Sequence, residues 1–202
     1  MESTENKVIS RIYRKGRGWA FSRIDFSDLG SIEAIDQSLS RLAKKRQIRR
    51  VLRGLYDYPK FSNFLDKELS PDIDQIARAL ARKYGWTIQV SGNTALNILG
   101  LSTQLPGRFM YYSDGRSCRY QIGKQELMFK KSSLKDMGVK HKESALLVQA
   151  IKAINQGNLS EQDKKQIRDY FQPSQHSKIL KDTRYVTSWV YEEIKDIFKE
   201  DK

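Results

Sequence analysis

Along residues 4–46 the apolar positions recur every three or four residues, and over residues 48–58 they alternate. That change of period separates helical from extended chain. Val8, Ile9 and Ile12 share one side of a helix predicted over residues 4–15, with Thr4 as its N-cap and Gly16 and Gly18 beyond its end. Trp19, Ala20 and Phe21 make a short extended piece, after which Ser22 caps a brief second helix carrying Ile24, Phe26 and Leu29 up to Gly30. Ser31 caps a third helix. At 100 degrees per residue its Ile32, Ile35, Leu39, Leu42 and Ala43 form one stripe, which leaves Ala34, Gln37, Arg41, Lys44 and Lys45 on the other side. One face is apolar; the opposite one is basic and amide-bearing.

Residues 48–52 and 55–58 read as two short strands joined at Arg53-Gly54, with Pro59 ending the second. The predicted order is helix, short strand, helix, tight turn, helix, hairpin. A winged helix-turn-helix has this order, with its third helix in the major groove and its hairpin wing on the backbone or minor groove. Past a connector or short helix over residues 61–69, Ser70-Pro71-Asp72 opens another helix: Ser70 as cap, Pro71 at the first position, Asp72 and Asp74 near the positive end. Its stripe is Ile73, Ile76, Ala77, Leu80 and Ala81. The boundary falls between Pro59 and Asp72, giving a winged helix-turn-helix domain over residues 1–60 and an α+β domain over residues 61–202. In the second domain strands are predicted over 86–90, 108–112, 118–122 and 126–130, and helices over 94–100, 142–155, 160–171, 173–181 and 185–199. Gly92 reads as a turn, and Tyr185, Val186, Trp189, Val190, Ile194 and Ile197 as a core stripe. The fold class is α+β.

Charge sharpens this picture. The chain holds 37 Lys and Arg against 24 Asp and Glu, a formal net charge of +13. Residues 1–60 carry 14 basic against 7 acidic side chains, and residues 61–202 carry 23 against 17, so the excess is concentrated in the first domain. From Arg41 to Gly54 there are seven basic residues and no acid. A charge run is usually a solvated face. Set in a helix and a hairpin it also suits a polyanion, because each neutralised phosphate releases condensed counterions. The apolar runs are short, as at residues 145–148, and none approaches the roughly 18 residues of a membrane span. The polar N-terminus lacks an apolar h-region, so the expectation is a cytoplasmic chain with no membrane partner. Cys118 is the only cysteine, which excludes an intramolecular disulfide or a multi-cysteine zinc site and reads as a buried, inert thiol.

The runs Ile35-Asp-Gln-Ser-Leu-Ser-Arg-Leu42, Ile48-Arg-Arg50 and Arg53-Gly-Leu-Tyr-Asp-Tyr-Pro59, followed by Ser91-Gly-Asn-Thr-Ala-Leu-Asn-Ile-Leu-Gly-Leu-Ser-Thr-Gln-Leu-Pro106 and Tyr111-Tyr-Ser-Asp-Gly115, carry a family likeness. Over residues 1–131 the chain resembles the AbiEi-like antitoxins of type IV, abortive-infection toxin–antitoxin operons. The resemblance implies a winged-helix repressor of its own operon, bound to inverted repeats in promoter double-stranded DNA, with antitoxin activity in the C-terminal domain. It also implies a co-encoded, nucleotidyltransferase-like toxin, antagonised without a necessary stable complex. After Lys131 no motif of the family is matched. Carried over, Gln37, Ser38, Arg41, Lys44 and Lys45 are the recognition-helix contacts, and Arg49, Arg50 and Arg53 the wing contacts. The charge pattern selects nearly the same set. Gln37 suits adenine N6 and N7, Arg41 suits guanine O6 and N7, the lysines and wing arginines suit phosphates, and Ser38, toward the flank, supports. Tyr56 and Tyr58 read as core aromatics of the hairpin.

Catalysis is not expected. Ser91-Gly92 before Thr94 resembles the opening of a nucleotidyltransferase site, yet no paired carboxylates follow it for a divalent metal. Asp114 stands alone, and Asp72 and Asp74 sit on a helix start. His141 and His176 are 35 residues apart with no acid or cysteine at ligand spacing, so neither a metal site nor a Ser-His-Asp triad is predicted, and no cofactor. Two alternatives remain open: an enzyme acting on nucleic acid or nucleotides that uses the first domain for delivery, and an adaptor whose C-terminal helices bind a toxin. The lysines at 130, 131, 135, 140 and 142 fit either a second nucleic-acid surface or a solvated connection.

Overall fold

Ser3, one residue before the predicted cap, opens the first helix, α1 (Thr4–Lys15), its hydroxyl accepting the Asn6 amide at 3.2 Å. The computed structural model describes residues 3–102, 107–132, 139 and 141–199. Residues 103–106 of the quoted family run, and Lys135 and Lys140, lie outside the described residues. A left-handed Gly16, at φ 87°, ends α1 and returns its amide to the Ile12 and Tyr13 carbonyls. Then come β1 (Ala20–Phe21), a 3-10 turn (Arg23–Phe26), α2 (Ile32–Lys44), β2 (Arg49–Leu52) and β3 (Leu55–Asp57). The strands form an antiparallel sheet in the order β1–β3–β2, in register Ala20 with Asp57 and Arg49 with Asp57. Leu52 faces Leu55 across the two-residue turn at Arg53-Gly54, where Gly54 takes φ 68°.

This arrangement buries most of both predicted stripes together, but Ile32, at the start of α2, is 57% exposed rather than buried. Val8 and Ile12 of α1 meet Ile35, Leu39 and Leu42 of α2, with Phe21, Phe26, Ile48 and Tyr56 completing one cluster. Phe21 and Phe26 meet edge to face, and Trp19 packs against both, at ring separations of 4.8 to 5.8 Å. Truncating Phe21 or Phe26, both fully buried, costs about 3–5 kcal/mol on this packing. Tyr56 is buried and Tyr58 packs against the cluster from its edge.

The connector forms a small hairpin, β4 (Phe61–Ser62) with β5 (Lys67–Glu68). Asp72 rather than Ser70 caps α3 (Ile73–Tyr84), its Oδ1 accepting the amides of Asp74 at 3.0 Å and Gln75 at 3.2 Å. α3 packs on β1 and the 3-10 turn. Its Arg82 Nε lies 2.6 Å from Asp25 Oδ1, and its Nη2 donates to the Ala20 carbonyl at 2.8 Å. By contact density the chain divides into Met1–Thr87 with Tyr120–Leu127, and Ile88–Arg119 with Met128–Lys202. The first unit therefore runs past the Pro59–Asp72 segment where the sequence places the boundary.

The second unit contains β6 (Ile88–Val90), α4 (Gly92–Ile98), β7 (Arg108–Ser113) and α5 (Lys142–Ile154), then α6 (Glu161–Tyr170), α7 (Pro173–Asp182) and α8 (Ser188–Ile197). Strands β8 (Cys118–Ile122) and β9 (Gln125–Lys131) complete a four-stranded sheet in the order β6–β7–β9–β8. Gly92 is not a turn but the first residue of α4. A Cβ built there would lie 2.7 Å from that of Ala153 and 3.2 Å from the Gln149 carbonyl, so glycine permits the close approach of α4 and α5. Tyr185 leaves the predicted core stripe: α8 starts only at Ser188, and Tyr185, ahead of it, is 91% exposed. Val190, Ile194 and Ile197 are the residues α8 buries. Cys118 is half-buried rather than buried. Among the described residues no helix is long and apolar enough to cross a membrane.

Candidate nucleic-acid interface

The candidate surface is built by α2 and the β2–β3 hairpin. Ser31 caps α2 by accepting the Ala34 amide at 3.3 Å, and Ile35, Leu39 and Leu42 fix the helix to the core. The burial of that stripe leaves Glu33, Gln37, Ser40, Arg41, Lys44 and Lys45 exposed. Ser40 lies between Gln37 and Lys44 on this face, a position that helical geometry specifies but residue chemistry did not single out. Ser38 does not join it. Buried on the α1 side, its hydroxyl donates to the Ala34 carbonyl at 2.7 Å, and it borders only the floor of the crevice beside Gln37 and Arg41.

α2 ends with Arg46 in the left-handed region, at φ 58°, where glycine is usual. The Arg46 amide returns to the Ala43 carbonyl at 3.1 Å and the Gln47 amide to the Leu42 carbonyl at 3.0 Å. This double return stops the helix and aims the chain into β2, with Ile48 anchored in the core.

On the hairpin the three predicted arginines part company. Arg49 is engaged internally: its Nε and Nη2 pair with the two oxygens of Asp57 at 3.0 and 2.6 Å, and its Nη1 donates to the Leu69 carbonyl at 2.9 Å. Asp57 is 2% exposed. Burial pushes its carboxyl up, and the Arg49 hydrogen bonds and charge offset only part of that push. Arg49 is thus a strut between β2, β3 and the chain after β5, not a free phosphate ligand. Arg50 and Arg53 are exposed, and the Arg53 carbonyl accepts Lys83 Nζ of α3 at 3.1 Å. Ser40, Arg50, Arg53, Arg23, Asp36 and Lys83 line one groove of about 970 Å³, in which Arg23 pairs with Asp36 at 3.1 Å. Arg23 and Lys83 come from the 3-10 turn and from α3, and no local sequence signal links them to the hairpin.

Gln37 and Arg41 line a smaller crevice of about 420 Å³ with Glu5 of α1. Glu5 accepts Lys45 Nζ at 2.6 Å and stands 3.8 Å from Arg41 Nη1. Among the described residues the side chains of Lys44, Arg46, Arg50 and Arg53 form no ion pair. From α2 through the hairpin these are the cations that face solvent unneutralised.

Of the residues considered for catalysis, Asp72, Asp74 and His176 have structural partners. Asp72 caps α3 and Asp74 pairs with Arg78 at 2.7 Å. The His141 amide donates to Asp182 at 2.9 Å, while His176 stacks on Phe198 with its Nε2 3.1 Å from the Phe171 carbonyl. Among the described residues no three His, Cys, Asp or Glu side chains cluster as a metal site.

These features define an α+β protein whose first unit carries a cationic helix-and-hairpin surface. The chain belongs to DUF6088, a family of unknown function, whose match spans residues 7–179. A search of curated proteins finds no match.

Proposed function

We propose that the first unit is a winged helix-turn-helix that binds double-stranded DNA, with α2 in the major groove and the β2–β3 hairpin as its wing. The order helix, strand, 3-10 turn, helix, hairpin, closed by a β1–β3–β2 sheet, supports the architecture. The observation that carries the reading is the unneutralised set Lys44, Arg46, Arg50 and Arg53 beside the exposed amide of Gln37. In it Gln37 and Arg41 read base edges, and Lys44, Arg46, Arg50 and Arg53 hold phosphates. Arg23 and Lys83 extend the backbone contact along the groove.

The regulatory role proposed is that of a non-catalytic, cytoplasmic autorepressor and antitoxin of the AbiEi-like kind. It rests on the family likeness of residues 1–131, with the second unit supplying the antitoxin activity against a co-encoded nucleotidyltransferase-like toxin. Selection from a random duplex library by the full chain tests the DNA reading. The expected result is an enriched site that, placed in a promoter, confers repression. Arg41→Ala then relaxes discrimination at one base pair of that site by about 1–3 kcal/mol. No enrichment, or an unchanged preference in Arg41→Ala, contradicts the reading.

A further inference from the structure

Glu5 stands 36 residues before Arg41 in sequence and directly beside it in space. It occupies the first turn of α1, two residues past the Ser3 cap and at the positive end of the helix. The carboxylate is only 19% exposed, whereas Arg41 and Lys45 are 63% and 59% exposed on the α2 side that borders α1. Four residues apart, these two cations converge on one anion. Lys45, with its ammonium 2.6 Å from Oε1, is already neutralised by a partner that a phosphate must displace. Arg41, at 3.8 Å, is steered rather than locked, and most of its five donors remain for a planar acceptor.

We propose that Glu5 is a specificity-determining residue of the DNA interface: its carboxylate neutralises Lys45 and steers Arg41, weakening sequence-independent phosphate binding and reserving Arg41 for a base edge. The inference rests on the DNA-binding reading above. A fixed anion at the rim of a cationic face repels the backbone of every duplex alike, while a guanidinium held in advance loses less freedom on meeting guanine. Both effects enlarge the difference between right and wrong sites. Glu5 acts through Arg41 and Lys45 and is a positioning residue, not a base contact.

The test is Glu5→Gln in the full chain, measured by fluorescence anisotropy on a random-sequence 30-base-pair duplex and on the duplex selected by the wild type, from about 50 to 200 mM salt. The expected result is about three- to tenfold tighter binding of the random duplex, a lower selected-to-random ratio and a salt slope steeper by about one to two units. Lys45→Gln should change the slope little beside Glu5 and by about one unit in the Glu5→Gln background. Glu5→Asp, which keeps the charge, should retain the low affinity for random duplex. Unchanged ratio and slope in Glu5→Gln overturn this inference and leave the DNA reading standing. Failure of both wild type and Glu5→Gln to bind any duplex overturns the DNA reading and this inference with it.

Discussion

Replacing Arg49 by alanine separates a structural arginine from its solvent-facing neighbour Arg50. Arg49 is the counterion of Asp57, which sits in β3 directly across the ladder and is 2% exposed. Removing the guanidinium takes away the 3.0 and 2.6 Å bonds to the carboxylate and the 2.9 Å bond to the Leu69 carbonyl, leaving a buried charge without compensation. Breaking such a pair costs about 3–5 kcal/mol, and the partial exposure of Arg49 places the expectation near the lower end, about 3 kcal/mol. The sign of the pH dependence follows from Asp57. Its folded carboxyl titrates above the unfolded one, so protonation adds stability that is complete below about pH 4 and lost as pH rises through the folded value. Loss of Arg49 raises that value further. The deficit of Arg49→Ala should therefore shrink as pH falls from neutral through the variant's folded value, by up to about 1.4 kcal/mol per pH unit where the carboxyl is protonated in the folded variant but not in the folded wild type. Urea unfolding followed by tryptophan fluorescence reads the change, with Arg50→Ala as the control expected to stay within about 0.5 kcal/mol. The double variant Arg49→Met/Asp57→Val should recover most of the loss, because an apolar pair leaves no buried charge. An Arg49→Ala protein as stable as the wild type, or a double variant as unstable as the single one, would refute the strut.

Other expectations are as direct. Arg46→Gly should stabilise the fold by about 1 kcal/mol, since glycine occupies the left-handed position without strain, while lowering the salt slope of duplex binding by about one unit; calorimetry and anisotropy read the two opposed effects. Gly92→Ala should destabilise by about 1–3 kcal/mol because its Cβ would overlap Ala153, and adding Ala153→Gly should restore part of the loss in urea titrations. Asp28, held by hydrogen bonds from Arg11, and Asp196, held by Lys164 and then Lys199, both titrate down near about 2. Their contribution is present above about pH 4 and lost as pH falls toward 2, so the thermal midpoint should decline over that interval, less steeply in Arg11→Met and Lys164→Met.

The helical stripes of α1 and α2 and the hairpin turn at Arg53-Gly54 were legible because burial of a single face forces the period on the sequence. Caps slipped by one or two residues, Ser3 for Thr4 and Asp72 for Ser70, since adjacent Ser, Thr and Asp all suit the position. The candidate site was legible in its exposed members and misread where tertiary pairing decides. Arg49 and Arg50 are indistinguishable as neighbours in sequence, and only the ladder register reveals that one of them faces Asp57. Ser38 belongs to the packed flank and Ser40 to the open face, a distinction that helix angle carries and polarity does not. Glu5, Arg23 and Lys83 reach the surface from elements far along the chain, and Gly92 owes its identity to Ala153, 61 residues away, so neither leaves a local trace.

The most direct test of the interface as a whole is the slope of log binding constant against log salt for a duplex and the full chain. With Lys44, Arg46, Arg50 and Arg53 each neutralising a phosphate, the expected slope is about −4, reduced by about one unit in Lys44→Ala and again in Arg50→Ala, and unchanged once allowance is made for stability in Arg49→Ala. A slope near zero, or one that Lys44 and Arg50 leave untouched, would place nucleic acid elsewhere than on α2 and its hairpin.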